Sequence, residues 1–165
     1  MSKTEDSLKE AFAGESQANR KYLAFAIKAD QEGFAQASRL FRAAAEAETV
    51  HAHNHLRVLK GIRSTKENLK EAIDGETHEF KSMYPVMIEK AKAEGNKEAE
   101  RSFNFANEVE KIHARLYQQM FDNLEKATDT FGYYVCPVCG YTAEKEPPET
   151  CPVCGAKGKM FKKVD

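Results

Sequence analysis

The feature that most constrains this chain is a repeat. Shifted by 62 positions, residues 31–52 overlay residues 93–114 with ten identities in 22 positions. Among the matched pairs are Glu32/Glu94, Gly33/Gly95, Phe41/Phe103, Glu48/Glu110 and His51/His113. Further upstream a shift of 61 aligns Gly14-Glu15-Ser16 with Gly75-Glu76-Thr77, while Tyr22 and Tyr84 match at 62 again. These segments are rich in Ala, Glu, Lys, Leu and Gln, all good helix formers, and Pro85 is the sole proline before Pro137. The helical pattern is broken at Gly33, around Gly61–Thr65 and at Gly95-Asn96. Ser7 with Glu10, and Ser64 with Glu67, have capping-box spacing. Four long helices are predicted, over about 5–31, 35–60, 65–93 and 96–126. Short connections make sequence neighbours antiparallel, so residues 1–130 predict a four-helix bundle built from two copies of one helical hairpin.

The remainder, 131–165, loses helical periodicity and gains Pro137, Pro147, Pro148 and Pro152 with Gly132, Gly140, Gly155 and Gly158. Residues 127–132 form the expected boundary between the two domains.

The helices carry acids where a bundle core expects leucine. Glu48 and His51 lie on the apolar stripe of Ala37, Phe41, Ala44, Leu56 and Leu59. Glu110 and His113 interrupt the stripe of Phe103, Ala106, Leu116, Tyr117 and Met120. Glu15 falls among Leu8, Ala11, Phe12, Ala18 and Phe25; Glu76 and Glu79 fall between Leu69, Ile73 and Met83. Glutamate is almost never fully buried unless paired, and five inward carboxylates without cations would be prohibitive. Counted from Gly33, Glu15 lies 18 residues back and Glu48 and His51 lie 15 and 18 forward. Counted from Gly95, Glu76 and Glu79 lie 19 and 16 back, and Glu110 and His113 lie 15 and 18 forward. At about 1.5 Å per residue, all seven reach one level, roughly 22–28 Å from the turn.

One Glu from each of two helices, with Glu-x-x-His from each of the other two, is the ligand plan of a di-iron or di-manganese bundle. The i, i+3 spacing points both ligands of a pair inward. Glu15 and Glu76 are then the single acids, and Glu48/His51 and Glu110/His113 the pairs. Glu79 is surplus, since its partner in the first repeat is Ala18. His53 and His55 read as surface or supporting residues and His78 as pointing away. Tyr22 and Tyr84, on the inner stripes, are either core tyrosines or hydrogen-bond donors to a ligand carboxylate.

All four cysteines sit in the tail, as Cys136-Pro-Val-Cys139-Gly and Cys151-Pro-Val-Cys154-Gly. Two such knuckles make a tetrahedral tetrathiolate site suited to zinc or iron. A disulfide framework would instead spread its cysteines through the fold. A formal net charge of −1 leaves no footprint for nucleic acid or an anionic membrane. No apolar run approaches the roughly 20 residues of a membrane span. MSKTEDSLKE lacks the apolar core of a signal peptide, so the cytoplasm is the expected compartment.

Taken together, AFAGES at 11–16, EAETVHAHNH at 46–55, GETHEFKSMYP at 75–85, EVEKIHARLY at 108–117 and the two CPVCG knuckles resemble the rubrerythrins. The resemblance spans essentially the whole chain and implies a ferritin-like bundle followed by a rubredoxin-like domain with short β-strands. It places di-iron ligands on Glu15, Glu48, His51, Glu76, Glu79, Glu110 and His113, and a third iron on Cys136, Cys139, Cys151 and Cys154. It further implies a peroxidase: a diferrous site reduces hydrogen peroxide to water, with electrons relayed through the tetrathiolate iron. The donor would be a rubredoxin or an NAD(P)H-dependent reductase. Iron is expected to change ligand between Glu79 and His51 with oxidation state. Competing readings are ferritin-like iron oxidation or storage, and a non-enzymatic zinc- or iron-binding module.

Two finer expectations come from register and reach. Glu15/Glu76 pair at 61 but Tyr22/Tyr84 at 62, so one residue has been added between Glu76 and Tyr84. A π-bulge within 76–86 would absorb it; the alternative is a regular helix kinked at Pro85. Helix four runs 13–16 residues past Glu110 and His113, about 20–24 Å. The cysteine domain beyond it is therefore expected to serve a partner chain, in a head-to-tail homodimer.

Overall fold

The computed structural model describes residues 3–126 and 130–164. The chain divides into two compact units, Met1–Arg63 and Ser64–Asp165. The first is a hairpin of α1 (Lys3–Gln31) and α2 (Ala35–Val58). The second contains α3 (Thr65–His78), a π-helical turn (Glu79–Met83), α4 (Tyr84–Ala93), α5 (Lys97–Asn123) and the cysteine segment. With α3, the π turn and α4 taken as one interrupted helix, these are the four predicted helices.

Both hairpin turns close in the same way. Phe34 N–H reaches Ala29 O and Gly33 N–H reaches Asp30 O, with Gly33 at φ 82°. Asn96 N–H reaches Ala91 O and Gly95 N–H reaches Lys92 O, with Gly95 at φ 69°. This is the Schellman closure, which needs a left-handed residue at the turn. The repeated Glu-Gly of the sequence is therefore a repeated helix stop. At the end of α2 the left-handed position falls on Lys60, φ 56°.

Ser64 caps α3 in a full capping box with Glu67, as its spacing predicts. Asn96 caps α5 by accepting from Ala99 N–H at 3.0 Å. Ser7 does not start a helix. The helix already runs from Lys3, and Ser7 Oγ donates back to Lys3 O at 2.9 Å. Upstream residues support the extra turn: Glu5 and Asp6 suit the N-terminal dipole, and Glu5 pairs with Lys9 at 2.8 Å.

The added residue is absorbed as a π turn. Tyr84 N–H bonds to Glu79 O, five residues back, and Pro85 follows with no N–H to give. Helix α1 is continuous over Lys3–Gln31. Each hairpin keeps small or slender side chains in its seam, Ala26, Ala29, Ala45 and Ala52 in the first and Ile88, Ala91, Val109 and Ala114 in the second.

The cysteine segment forms a three-stranded antiparallel sheet in the order β2-β1-β3. Its strands are β1 (Tyr133–Val135), β2 (Thr142–Glu144) and β3 (Lys162–Val164). Tyr134 pairs with Ala143 on one side and Lys163 on the other. Tyr141 meets Phe161 edge-on, ring centroids 6.1 Å apart, beside the metal knuckles. Of the predicted boundary 127–132, residues 127–129 lie outside the described residues.

Candidate metal centres

The two cysteine knuckles are superimposable in their hydrogen bonding. Gly140 N–H donates to Cys136 O and Gly155 N–H to Cys151 O, both at 3.0 Å. Cys136 N–H donates to Tyr141 O and Cys151 N–H to Ala156 O. Gly140 and Gly155 hold φ of 86° and 77°, which a side chain would resist. The four thiols converge: Cys136 Sγ lies 3.6 Å from Cys154 Sγ, and Cys139 Sγ lies 3.5 Å from Cys151 Sγ. Those separations far exceed the ~2.05 Å of a disulfide. They approach the ~3.8 Å edge of a tetrahedron with metal–sulfur bonds of ~2.3 Å. The donor set fits a tetrahedral thiophilic metal.

The helical ligands gather by hairpin. Glu15, Glu48 and His51 converge in the first unit, and Glu76, Glu110 and His113 in the second. The two groups have the same internal geometry. His51 Nδ1 lies 2.8 Å from Glu48 Oε2 and 4.0 Å from Glu15 Oε1. His113 Nδ1 lies 2.8 Å from Glu110 Oε2 and 3.8 Å from Glu76 Oε1. The repeat in sequence is thus a repeat of half-sites. Even the flanking rings agree: Tyr22 sits 6.2 Å from Phe41, and Tyr84 sits 6.3 Å from Phe103.

Electrostatics in the second unit show what these carboxylates lack. Burial, then the neighbouring Glu110, pushes the Glu76 carboxyl up to about 7. Glu79 is raised by burial and by Glu110. The imidazole of His113 is raised as well, chiefly by its bond to Glu110. Carboxyls that resist ionising, beside an imidazole bonded to Glu110, invite a cation, which neutralises the carboxylates and takes the Nδ1 lone pair. Donor pairs about 3–3.5 Å apart suit one cation with bonds of ~2.1 Å. The residues fit a metal site of carboxylates and imidazoles.

The other expected residues separate. Glu79 stands outside the tight three-residue groups formed by the described residues. It faces Glu110, His113 and His78 closely enough for their charges to act on it. The Tyr84 phenol is raised first by burial and then by Glu79, Glu110 and Glu76. That favours the reading of Tyr84 as a neighbour of the ligands. The ring neighbours of Tyr22 are Phe25 and Phe41. His53, His55 and His78 join none of the ligand groups formed by the described residues.

One geometric expectation is corrected. The cysteine segment was expected to lie too far from its own chain's Glu110 and His113. Instead it returns along α5: Thr142 Oγ1, in β2, lies 3.0 Å from His113 Nε2. Helix α5 ends at Asn123, short of the expected 126, and the cysteine segment lies back against it rather than continuing outward. Nothing in the sequence marks Thr142, because a threonine opening a strand is ordinary.

A mainly helical chain with two matching Glu/Glu/His groups and a tetrathiol cluster defines a metalloprotein with carboxylate–imidazole and thiolate donor sets. The sequence model for the family described as Rubrerythrin matches residues 6–121, and that for "Rubrerythrin, rubredoxin-like domain" matches residues 134–162. The chain is 42% identical to Rubrerythrin-2 of Clostridium acetobutylicum, over 96% of this chain and 95% of that protein. It is 35% identical to Nigerythrin of Nitratidesulfovibrio vulgaris, over 92% and 81% respectively. Among solved structures it resembles mixed-valent nigerythrin (TM-score 0.60, 33% identity, 99% of this chain and 88% of that one). The all-ferrous, fully reduced form of nigerythrin gives a TM-score of 0.61 at 32% identity, with the same coverage. The chain belongs to the rubrerythrin family of di-iron oxidoreductases and carries that family's rubredoxin-like domain.

Proposed function

We propose that the chain is a peroxide reductase in which the two half-sites together hold two irons and the four cysteines hold a third. In this reading residues 1–130 act as the di-iron domain and 131–165 as the electron-entry domain. The carrying observation is that one chain has two equivalent Glu/Glu/His groups and a separate tetrathiol cluster. Storage of iron has no use for the second kind of site, whereas delivery of electrons one at a time does. A diferrous pair supplies the two electrons that, with two protons, convert hydrogen peroxide to two waters.

The residues divide that work. Glu15, Glu48, Glu76 and Glu110 would supply negative charge that favours oxidised metals, and His51 and His113 would each offer an Nδ1 donor. Glu79, near Glu110 and His113, is an additional carboxylate that would replace His51 as a ligand when the charge on the metals rises. Tyr84, held protonated well above neutrality, can donate a hydrogen bond to the carboxylates beside it. Electrons enter at the cysteine site from an NAD(P)H-linked donor protein, a rubredoxin or a reductase, in the cytoplasm. A homodimer is the proposed assembly.

Replacing Cys154 with Ser tests the reading. Donor-driven peroxide consumption should be lost, while the pre-reduced variant still consumes one equivalent of peroxide in a single turnover. Unchanged steady-state turnover would reduce the cysteine site to a structural role.

A further inference from the structure

The His113 ring is gripped at both nitrogens. Nδ1 faces the Glu110 carboxylate at 2.8 Å, and Nε2 faces Thr142 Oγ1 at 3.0 Å. The same threonine hydroxyl lies 3.2 Å from Gly140 O and donates to it. A carbonyl can only accept, so the hydroxyl proton is committed to Gly140. The oxygen must then accept from the ring, which puts a proton on Nε2. With Nε2 protonated, loss of the Nδ1 proton that the Glu110 carboxylate accepts would leave the neutral imidazole's lone pair on Nδ1, the nitrogen turned toward Glu110 and Glu76.

Gly140 directly follows Cys139, and its N–H also anchors the knuckle through Cys136 O. Cys139, Gly140, Thr142 and His113 therefore form one continuous path of covalent and hydrogen bonds. The path joins the tetrathiol cluster to a half-site of the same chain. A pocket of about 340 Å³ opens beside the contact, lined by Leu69, Leu116, Tyr117, Met120 and Tyr133. The side chain of His113 is 26% exposed, against 53% for His51. The two histidines match in the sequence repeat and in their carboxylate contacts, but among the described residues only His113 is assigned a partner at Nε2.

We propose that Thr142 is a positioning residue. Its hydroxyl sets the tautomer and orientation of His113 and couples the cysteine domain to the half-site on its own chain. Partners that orient a ligating imidazole are worth about 10- to 100-fold in metal affinity or activity when removed. This deepens the peroxidase reading, since it assumes metals at both sites, but one arm of its test needs no peroxide.

In that arm the helical site is titrated with Co(II), the cysteine site already loaded, and the bound ion is followed in the visible spectrum. Thr142→Val is nearly isosteric but removes the hydroxyl that joins Nε2 to the Gly140 carbonyl, and should weaken binding about 10-fold or more. Thr142→Ser retains the hydroxyl and should stay within about 2-fold of the parent. Absence of Co(II) binding by the parent would refute the metal reading itself. Equal binding by parent and Thr142→Val, or equal losses in Val and Ser, would overturn the role given to Thr142.

In the second arm all-iron, fully reduced protein is mixed with peroxide, and growth of the ferric tetrathiolate absorption is timed. With iron at both sites, two electrons from the helical site and two protons would reduce one peroxide to two waters. One electron would then pass to the helical site from the tetrathiolate site, leaving the latter ferric. Thr142→Val should slow that growth about 10-fold or more, with rescue by Ser. Assemblies mixing a Cys154→Ser chain with a Glu110→Ala chain should show no fast growth, because no chain has both an intact tetrathiol cluster and an intact Glu76/Glu110/His113 group. Fast growth in the mixed assembly would overturn the same-chain connection and restore transfer between chains.

Discussion

Glutamine in place of Glu76 should make the metal-free protein more stable above neutral pH, although it removes a metal ligand. A carboxyl held at about 7 instead of 4.5 carries a penalty of about 3 kcal/mol on its ionised form. The side chain is 20% exposed, and screening at such a site leaves about 1–2 kcal/mol. The sign follows from proton counts. Between pH 4.5 and about 7 the folded state keeps the Glu76 proton while the unfolded chain loses it, so stability falls as pH rises through that window. The raised His113 imidazole acts in the same direction, because its contribution is also lost as pH rises through the folded value. A neutral amide at 76 cannot ionise and also removes the repulsion felt by Glu110. Urea denaturation in chelator at pH 5 and pH 8 measures the effect. The parent should lose stability between the two pH values, and the Gln variant should lose about 1–2 kcal/mol less. Identical pH dependence in the two proteins would refute the account of strained carboxylates awaiting a cation. With metal bound the order should reverse, since the ion stabilises only a site that has its ligands.

Glu79→Ala should leave two metals bound and slow peroxide turnover, since the plan of four glutamates and two histidines survives without it; loss of metal on analysis would make Glu79 an ordinary ligand. Deleting Lys81 should convert the π turn to regular helix, keep the far-ultraviolet circular dichroism of the parent, and reduce turnover by moving Glu79 off its face. Parental turnover in that deletion would deny the bulge a role. Lys60→Gly should stabilise the fold by about 0.5–1 kcal/mol, because a left-handed lysine is replaced by a residue without the Cβ clash. Thermal denaturation reads that gain, and a lower midpoint would contradict it.

Local interactions and periodicity were legible without coordinates. The Schellman turns at Gly33 and Gly95, the capping box at Ser64 and the π turn before Pro85 depend on residues within five positions of one another. So does the Glu-x-x-His pairing, because one turn of helix brings residues 48 and 51, or 110 and 113, to the same face. The duplicated pattern then revealed the bulge as a one-residue mismatch between Glu76 and Tyr84. Ser7 misled because capping chemistry is local but a helix end is a competition, and the charged residues before it continued the helix.

Long-range contacts decided the rest. The approach of Thr142 to His113 joins residues 29 positions apart through a fold-back that no periodicity encodes. The unequal surroundings of His51 and His113 likewise follow from packing, since the two are equivalent in the repeat. The pKa of Glu76 depends on burial and on an acid from another helix. Sequence determines which groups a turn of helix or a cysteine knuckle brings together; the distances and dielectric that set their chemistry exist only once distant segments have packed.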